Sequence, residues 1–173
     1  VTDTLAGLPP SGTERLALRP LEEADAPALQ RISDDPAITG VVHILTSPFG
    51  LAEARGLIRG DGRGRDRFVG AWRRTDGALV GVVGTHLRGR DRIEIGYWVA
   101  GAAQRQGYGR EAVAGIIALL RRHAPRRAIV AECREANLPS WRLLTGLGFA
   151  PSAEPGTRPG RRLLVLAQPP AAG

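Results

Sequence analysis

Ile93-Glu94-Ile95-Gly96-Tyr97-Trp98-Val99 alternates as a strand, and Gly107-Tyr108-Gly109, a short loop later, opens onto a helical pattern reaching about His123. Val113, Ile116, Ile117 and Leu120 form the apolar stripe of that helix. Beyond it, Ala128-Ile129-Val130-Ala131 is continuous and apolar, so Arg127 to Cys133 reads as a buried strand. A strand, a helix and a second buried strand in this order make one right-handed crossover between parallel neighbours. That unit restricts the chain to folds with a partly parallel sheet.

The flanking segments make the sheet mixed. Leu16 to Arg19 reads as a first strand, Asp25 to Ser33 as a helix ended by Asp34-Asp35-Pro36, and Ser47-Pro48 as the start of a second helix with Leu51, Ala54 and Ile58 inward. Arg67 to Arg73, Leu79 to Leu87 and Arg92 to Val99 form an antiparallel meander, with Thr75-Asp76-Gly77 and Arg88-Gly89-Arg90-Asp91 as its turns. After the crossover, Asn137 to Gly146 reads as a short helix, Gly148-Phe149 begins another strand, and Arg161 to Gln168 forms the last. The expected class is α/β of the α+β type, a mixed sheet with helices on both faces, in the order β-α-α-β-β-β-α-β-α-β-β. Residues 1–12, with Gly7, Pro9, Pro10 and Gly12, are expected as a mobile arm, 13–168 as one domain and 169–173 as a tail.

Several function classes are disfavoured by composition. No run of about 18 apolar residues exists, so no membrane span is expected. One cysteine, Cys133, permits no internal disulfide and suits a reducing, cytoplasmic setting. The net charge of +7 comes from arginine alone, scattered over several loops, and aromatics are 5%. A nucleic-acid binder calls for a continuous basic stripe with stacking aromatics, so none is expected. No Cys, His and acidic set has metal-ligand spacing, so no metal is expected either.

The glycine turn is an anion site by its own chemistry. Glycines flanking Tyr108 let the backbone approach a ligand, and the helix behind them points free N–H groups and its positive dipole end at the same place. Arg105 and Arg110 add charge. Gly107-Tyr108-Gly109-Arg110-Glu111-Ala112 also fits the dinucleotide fingerprint, with Glu132 placed for a ribose. That oxidoreductase reading ranks low, because Ala100 to Gln106 separate strand from turn and only one crossover exists.

The chain resembles the GNAT superfamily of acyl-CoA-dependent N-acetyltransferases. Gln104-Arg105-Gln106-Gly107-Tyr108-Gly109 matches the family's Q/R-x-x-G-x-G/A loop. Ile95-Gly96-Tyr97-Trp98-Val99 before it, and Asn137-Leu138-Pro139-Ser140 and Gly146-Leu147-Gly148-Phe149 after it, extend the likeness. Thr13 to Leu21 looks like the opening of the subgroup that contains bacterial ribosomal-protein N-terminal acetyltransferases. The resemblance implies a splayed sheet and acetyl transfer from acetyl-CoA to a primary amine, either a protein N-terminus or a small molecule, in a monomer or homodimer. It also implies a cofactor site formed by Trp98, Val99, Gln104, Arg105, Gln106, Gly107, Tyr108, Gly109, Arg110, Asn137 and Ser140. The pantetheine arm would pair with backbone around Trp98 and Val99, and an N–H near Val99 would hold the oxyanion. Acceptor specificity would lie in residues 34–59 and 155–161. A CoA-binding sensor without turnover is the alternative.

Two catalytic residues are expected. The family's usual tyrosine acid falls at Leu144, which cannot transfer a proton, and the related subgroup places a serine near the thiol sulfur at the position of Ser140, so the resemblance implies Ser140 as the proton donor to the leaving thiolate. Glu94 is the candidate base; it alternates onto one face with Gly96 and Trp98, opposite Ile93, Ile95, Tyr97 and Val99. At neutral pH that role requires burial to raise its pKa. A plain ion pair with a neighbouring-strand arginine is the competing reading. His86 and His43 are weaker base candidates, and Cys133 is expected to be an inert buried thiol.

Overall fold

A computed structural model describes residues 3–167. Residues 1–2 of the expected arm, Gln168 and the tail 169–173 lie outside the described residues. Eight strands form one mixed sheet: β1 (Ser11–Gly12), β2 (Leu16–Pro20), β3 (Asp66–Arg73), β4 (Leu79–Arg88), β5 (Arg92–Val99), β6 (Ala128–Cys133), β7 (Phe149–Pro155) and β8 (Arg162–Leu166). Their spatial order is β1-β2-β3-β4-β5-β6-β8-β7. Every neighbouring pair is antiparallel except β5 and β6, the pair joined by the crossover helix α4 (Tyr108–His123). The other helices are α1 (Ala26–Ser33), α2 (Pro36–Thr39), α3 (Leu51–Arg59) and α5 (Leu138–Gly146).

Strand alternation divides the core in two. Ile93, Ile95, Tyr97 and Val99 face α4, whose Val113, Ile116 and Leu120 are 0–1% exposed. Trp98 faces the opposite layer with Phe68, Leu29 of α1 and Ala54 of α3. The indole N–H of Trp98 donates to Ser33 Oγ at 3.0 Å inside that layer.

Three local differences from the sequence reading have physical causes. Asp34-Asp35-Pro36 ends α1 as expected, but the Asp35 carboxylate then accepts from Ala37 N–H at 2.9 Å and caps the extra turn α2. Helix α3 begins at Leu51, after Ser47-Pro48, because Phe49 is buried and its N–H is held by Asp34 Oδ1 at 2.9 Å. Glu53 then returns to the Gly50 N–H at 3.0 Å. Residues 3–12, expected as a mobile arm, are seated on the domain. Leu5 and Leu8 are buried, Asp3 is ion-paired with Arg65 and Arg127, and Ser11–Gly12 pairs with β2.

Candidate active site

Strands β5 and β6 pair only over Arg92–Glu94 and Ala128–Val130. On its other edge β6 stays paired with β8 through Cys133, while its pairing with β5 stops at Glu94, so among the described residues β5 has no strand partner on that side from Ile95 onward. Ala100 N–H donates to Val80 O at 2.9 Å, and the antiparallel alternation then turns the amides of Trp98 toward β4. The same alternation turns those of Tyr97 and Val99 into the open cleft. Gln104 Nε2 donates to Val99 O at 3.2 Å and ties the following loop to this edge.

That loop is shaped by two left-handed residues, Arg105 (φ 62°) and Gly107 (φ 82°). Gly107 caps α4 without a side-chain hydrogen bond, so the first N–H groups of a 16-residue helix open outward. Gly109 has a different role. A Cβ there would lie 3.1 Å from Val99 Cγ2 and 3.5 Å from Tyr97 Cε2, so the missing side chain lets α4 seat against β5. From outside, Arg15 stacks on Tyr108 with its guanidinium 4.5 Å from the ring centre. It also donates to Gln106 O at 2.9 Å and pairs with Glu111 at 2.6 Å.

A cavity of about 550 Å³ runs along this turn. Gln104, Arg105, Gly107, Tyr108, Gly109 and Arg110 line it on one side, Tyr97, Trp98 and Val99 on another, and Asn137, Ser140 and Leu143 of the α5 region on a third. Among the described residues no carboxylate lines it. Two arginines, free helix amides and an unpaired strand edge fit a long ligand with a polyanionic end and amide groups. Gln106 is among the residues the resemblance nominated, but it does not line the cavity; its Nε2 folds back to Ala102 O at 3.0 Å.

A second cavity, of about 600 Å³, opens on the other side of Tyr97 and Ser140. At the junction Tyr97 OH donates to Ser140 Oγ at 3.2 Å, which leaves the serine proton free to be given elsewhere. Asn137 Oδ1 accepts from Ser140 N–H at 3.4 Å, so the asparagine caps α5 while also lining both cavities. Burial pushes the Tyr97 phenol above its ordinary value. Burial likewise raises the Cys133 thiol, keeping it protonated.

Glu94 lies in the wall of the second cavity and is 7% exposed. One carboxylate oxygen accepts from Arg88 Nε at 2.7 Å and the other from Arg158 Nη1 at 2.6 Å. Burial alone would raise this carboxyl, but the hydrogen bonds from Arg158 and Arg88 outweigh it and hold it below the usual value. That is the opposite of the shift a base at neutral pH requires. Arg158 also reaches Glu132 at 2.9 Å and so bridges β5 and β6 where they part. Glu132 is further held by Thr157, remote from any ribose role at the glycine turn.

His86 and Asp66 face the same cavity. Their contact, Nδ1 to Oδ1 at 2.8 Å, joins residues on adjacent strands. His43 lines the cavity too, and burial with the nearby Arg158 and Arg161 pushes it below its ordinary value. Arg88, on the adjacent β4, is the neighbouring-strand arginine that the competing reading of Glu94 called for; Asp66, Arg158 and the Tyr97–Ser140 contact were not anticipated from sequence, because each depends on register or on a loop return that no local pattern encodes.

The sheet parts beside a helix start with open amides, and two cavities meet at the parting, a cleft that a long anionic ligand fits. In sequence, residues 15–150 match the model of the acetyltransferase (GNAT) domain, and the chain belongs to that family. No curated protein sequence matches the chain. Among solved structures it is similar to a GNAT-family acetyltransferase from Bacillus anthracis, at 18% identity over 92% of this chain and 98% of that one, with a TM-score of 0.78. A ribosomal-protein-S5-alanine acetyltransferase from Vibrio fischeri matches at 15% identity, 92% and 96% coverage and a TM-score of 0.73. A ribosomal L7/L12 α-N-protein acetyltransferase in complex with coenzyme A matches at 18%, 88% and 94%, with a TM-score of 0.72. At these identities the structures speak for the fold, and the family match supplies the class. Among the described residues no helix is long and apolar enough to cross a membrane.

Proposed function

We propose that the protein transfers acetyl from acetyl-CoA to a primary amine by direct attack in a ternary complex. One observation carries this reading. The donor cavity and the second cavity share Tyr97, Trp98, Asn137 and Ser140, so two substrates can meet there without a covalent enzyme intermediate. Acetyl-CoA brings an already activated thioester, so holding the amine against it supplies much of the rate.

The chain's own groups divide the remaining work. The turn amides, Arg105 and Arg110 hold the phosphates. The cleft-facing amides of Tyr97 and Val99 bind the amide-bearing arm and polarise the thioester carbonyl. Ser140 gives its proton to the departing thiolate, and Tyr97 OH, bonded to the same oxygen, steadies the serine. Glu94 holds Arg88 and Arg158 and so fixes the wall of the acceptor cavity.

The acceptor class spans protein N-termini and small amines. Ribosomal-protein acetyltransferases among the structural neighbours favour including N-terminal peptides in any test. Free-thiol release from acetyl-CoA over a panel of small amines and short peptides is the experiment. Amine-dependent release supports the transferase. Tight acetyl-CoA binding with no release supports a sensor instead.

A further inference from the structure

We propose that His86, oriented by Asp66, is the general base that takes the proton from the acceptor amine. This rests on the transferase reading and adds to it the group that prepares the nucleophile.

Cross-strand register sets the geometry. Asp66 of β3 pairs with His86 of β4, and His86 with Glu94 of β5, so all three stand on the face that forms the acceptor cavity. Asp66 Oδ1 holds His86 Nδ1 at 2.8 Å, which assigns the ring proton to Nδ1 and leaves the lone pair on Nε2. Nε2 has no hydrogen-bond partner among the described residues.

The ring leans along the strand over Gly84. A Cβ at Gly84 would lie 2.7 Å from Nε2 and 3.3 Å from Cε1, so the imidazole occupies the space that a side chain there would fill. Gly84 pairs with Gly96 of β5, above which a Cβ would meet nothing within 4 Å. The imidazole and Phe68 Cε1, 3.1 Å from a Cβ at Gly84, fill the space above Gly84, so the open trough is the space over Gly96, one strand spacing, about 4.8 Å, across the sheet. It leads from Nε2 to the residue before Tyr97. An amine in this trough lies within reach of Nε2 directly or through one water.

Phe68 packs edge-on against the ring, with centroids 5.4 Å apart. The charged groups facing it are Asp66 on β3, Arg88 on β4, Glu94 on β5 and His43 from the segment between α2 and α3. Burial pushes the imidazole below its ordinary value, against the pull of Asp66, so it is neutral and able to accept at pH 7. Glu94 is already committed to two arginines.

The step balances as follows. The ammonium N–H bond breaks and its proton goes to Nε2; the freed nitrogen pair forms the C–N bond as the carbonyl π pair moves onto oxygen; the carbonyl re-forms and the C–S bond breaks, its pair leaving on sulfur, which takes a proton from Ser140; the acylated nitrogen then gives up its second proton, through water, to the Ser140 oxygen, leaving a neutral amide. The imidazolium then re-equilibrates with solvent.

Two measurements test this. First, ¹⁵N NMR of histidine-labelled full-length protein reads the state of His86. The expected result is a neutral ring at pH 7 carrying its proton on Nδ1, with a pKa that falls further in Asp66→Asn. A ring charged at pH 7, or protonated on Nε2, overturns the proposal whatever the acceptor. Second, the pH profile of kcat/KM is taken with acetyl-CoA and the best amine of the panel. His86→Asn should lower kcat/KM about 100-fold and remove the enzyme's acidic limb, with acetyl-CoA affinity and fold retained. Glu94→Gln should keep that limb. Loss of the limb in Glu94→Gln and its retention in His86→Asn overturn the proposal. If acetyl-CoA binds and no amine is acetylated, the transferase reading fails, and the NMR result still decides the state of His86.

Discussion

Replacing Glu94 by Gln separates a structural carboxylate from a catalytic one. The native carboxylate accepts from Arg88 at 2.7 Å and from Arg158 at 2.6 Å, and its side chain is 9% exposed. Each charge-assisted bond is worth about 1.5–3 kcal/mol. Glutamine keeps one acceptor oxygen and turns an amide donor toward the other guanidinium, so one contact is lost and the other is made to a neutral acceptor in place of a carboxylate. Arg88 is 43% exposed, which screens its share, and Arg158 keeps Glu132. The expected net loss is about 2 kcal/mol, or roughly 4–8 °C in Tm for a domain of this size. Thermal and urea unfolding at pH 7 read it, and a cycle with Arg158→Gln reports the coupling. The pH dependence has a definite sign. The folded carboxyl lies below its ordinary 4.5, so its stabilisation is complete above that pH and is lost as pH falls through the folded value. The gap between wild type and Glu94→Gln should therefore close in acid. An unchanged Tm at pH 7, with turnover and the acidic limb lost, would refute the structural assignment.

Three further outcomes are expected. Gly107→Ala must hold a φ of 82° with a Cβ 3.2 Å from Arg15 Nη2, so it should cost about 1–2 kcal/mol and weaken acetyl-CoA binding by calorimetry. Because two arginines and, among the described residues, no carboxylate line the cavity along the glycine turn, acetyl-CoA affinity should fall steadily from low to moderate salt; a flat response would contradict a charge-based site. Ser140→Ala should lower kcat by on the order of 100-fold or less and Tyr97→Phe by less still, since Tyr97 acts through the serine; equal kcat in wild type and Ser140→Ala would remove it as the acid.

Elements with strong local patterns were legible in the sequence. The meander, the crossover helix and α5 fall within a residue or two of their expected bounds, because each carries its own alternation, stripe or turn. The glycine turn that opens α4 was legible for the same reason. Asp35 and Phe49 redrew the segment between α1 and α3, because a side-chain cap and a buried aromatic acted where local propensity is weak. The base assignment was less accessible. Glu94 looked anomalous as an acid among isoleucines, but its partner Arg158 lies 64 residues away in the β7–β8 connection. Asp66 and His86 meet only through strand register, and the space for the imidazole depends on the absent side chain of Gly84.

The central claim is that donor and acceptor meet where the two cavities join. Free-thiol release from acetyl-CoA, followed together with N-acetyl product over the amine and peptide panel, tests it most directly. The account predicts amine-dependent release matched one for one by N-acetylated product. Acetyl-CoA bound at the glycine turn, with thiol release no faster than hydrolysis for every amine, would contradict it.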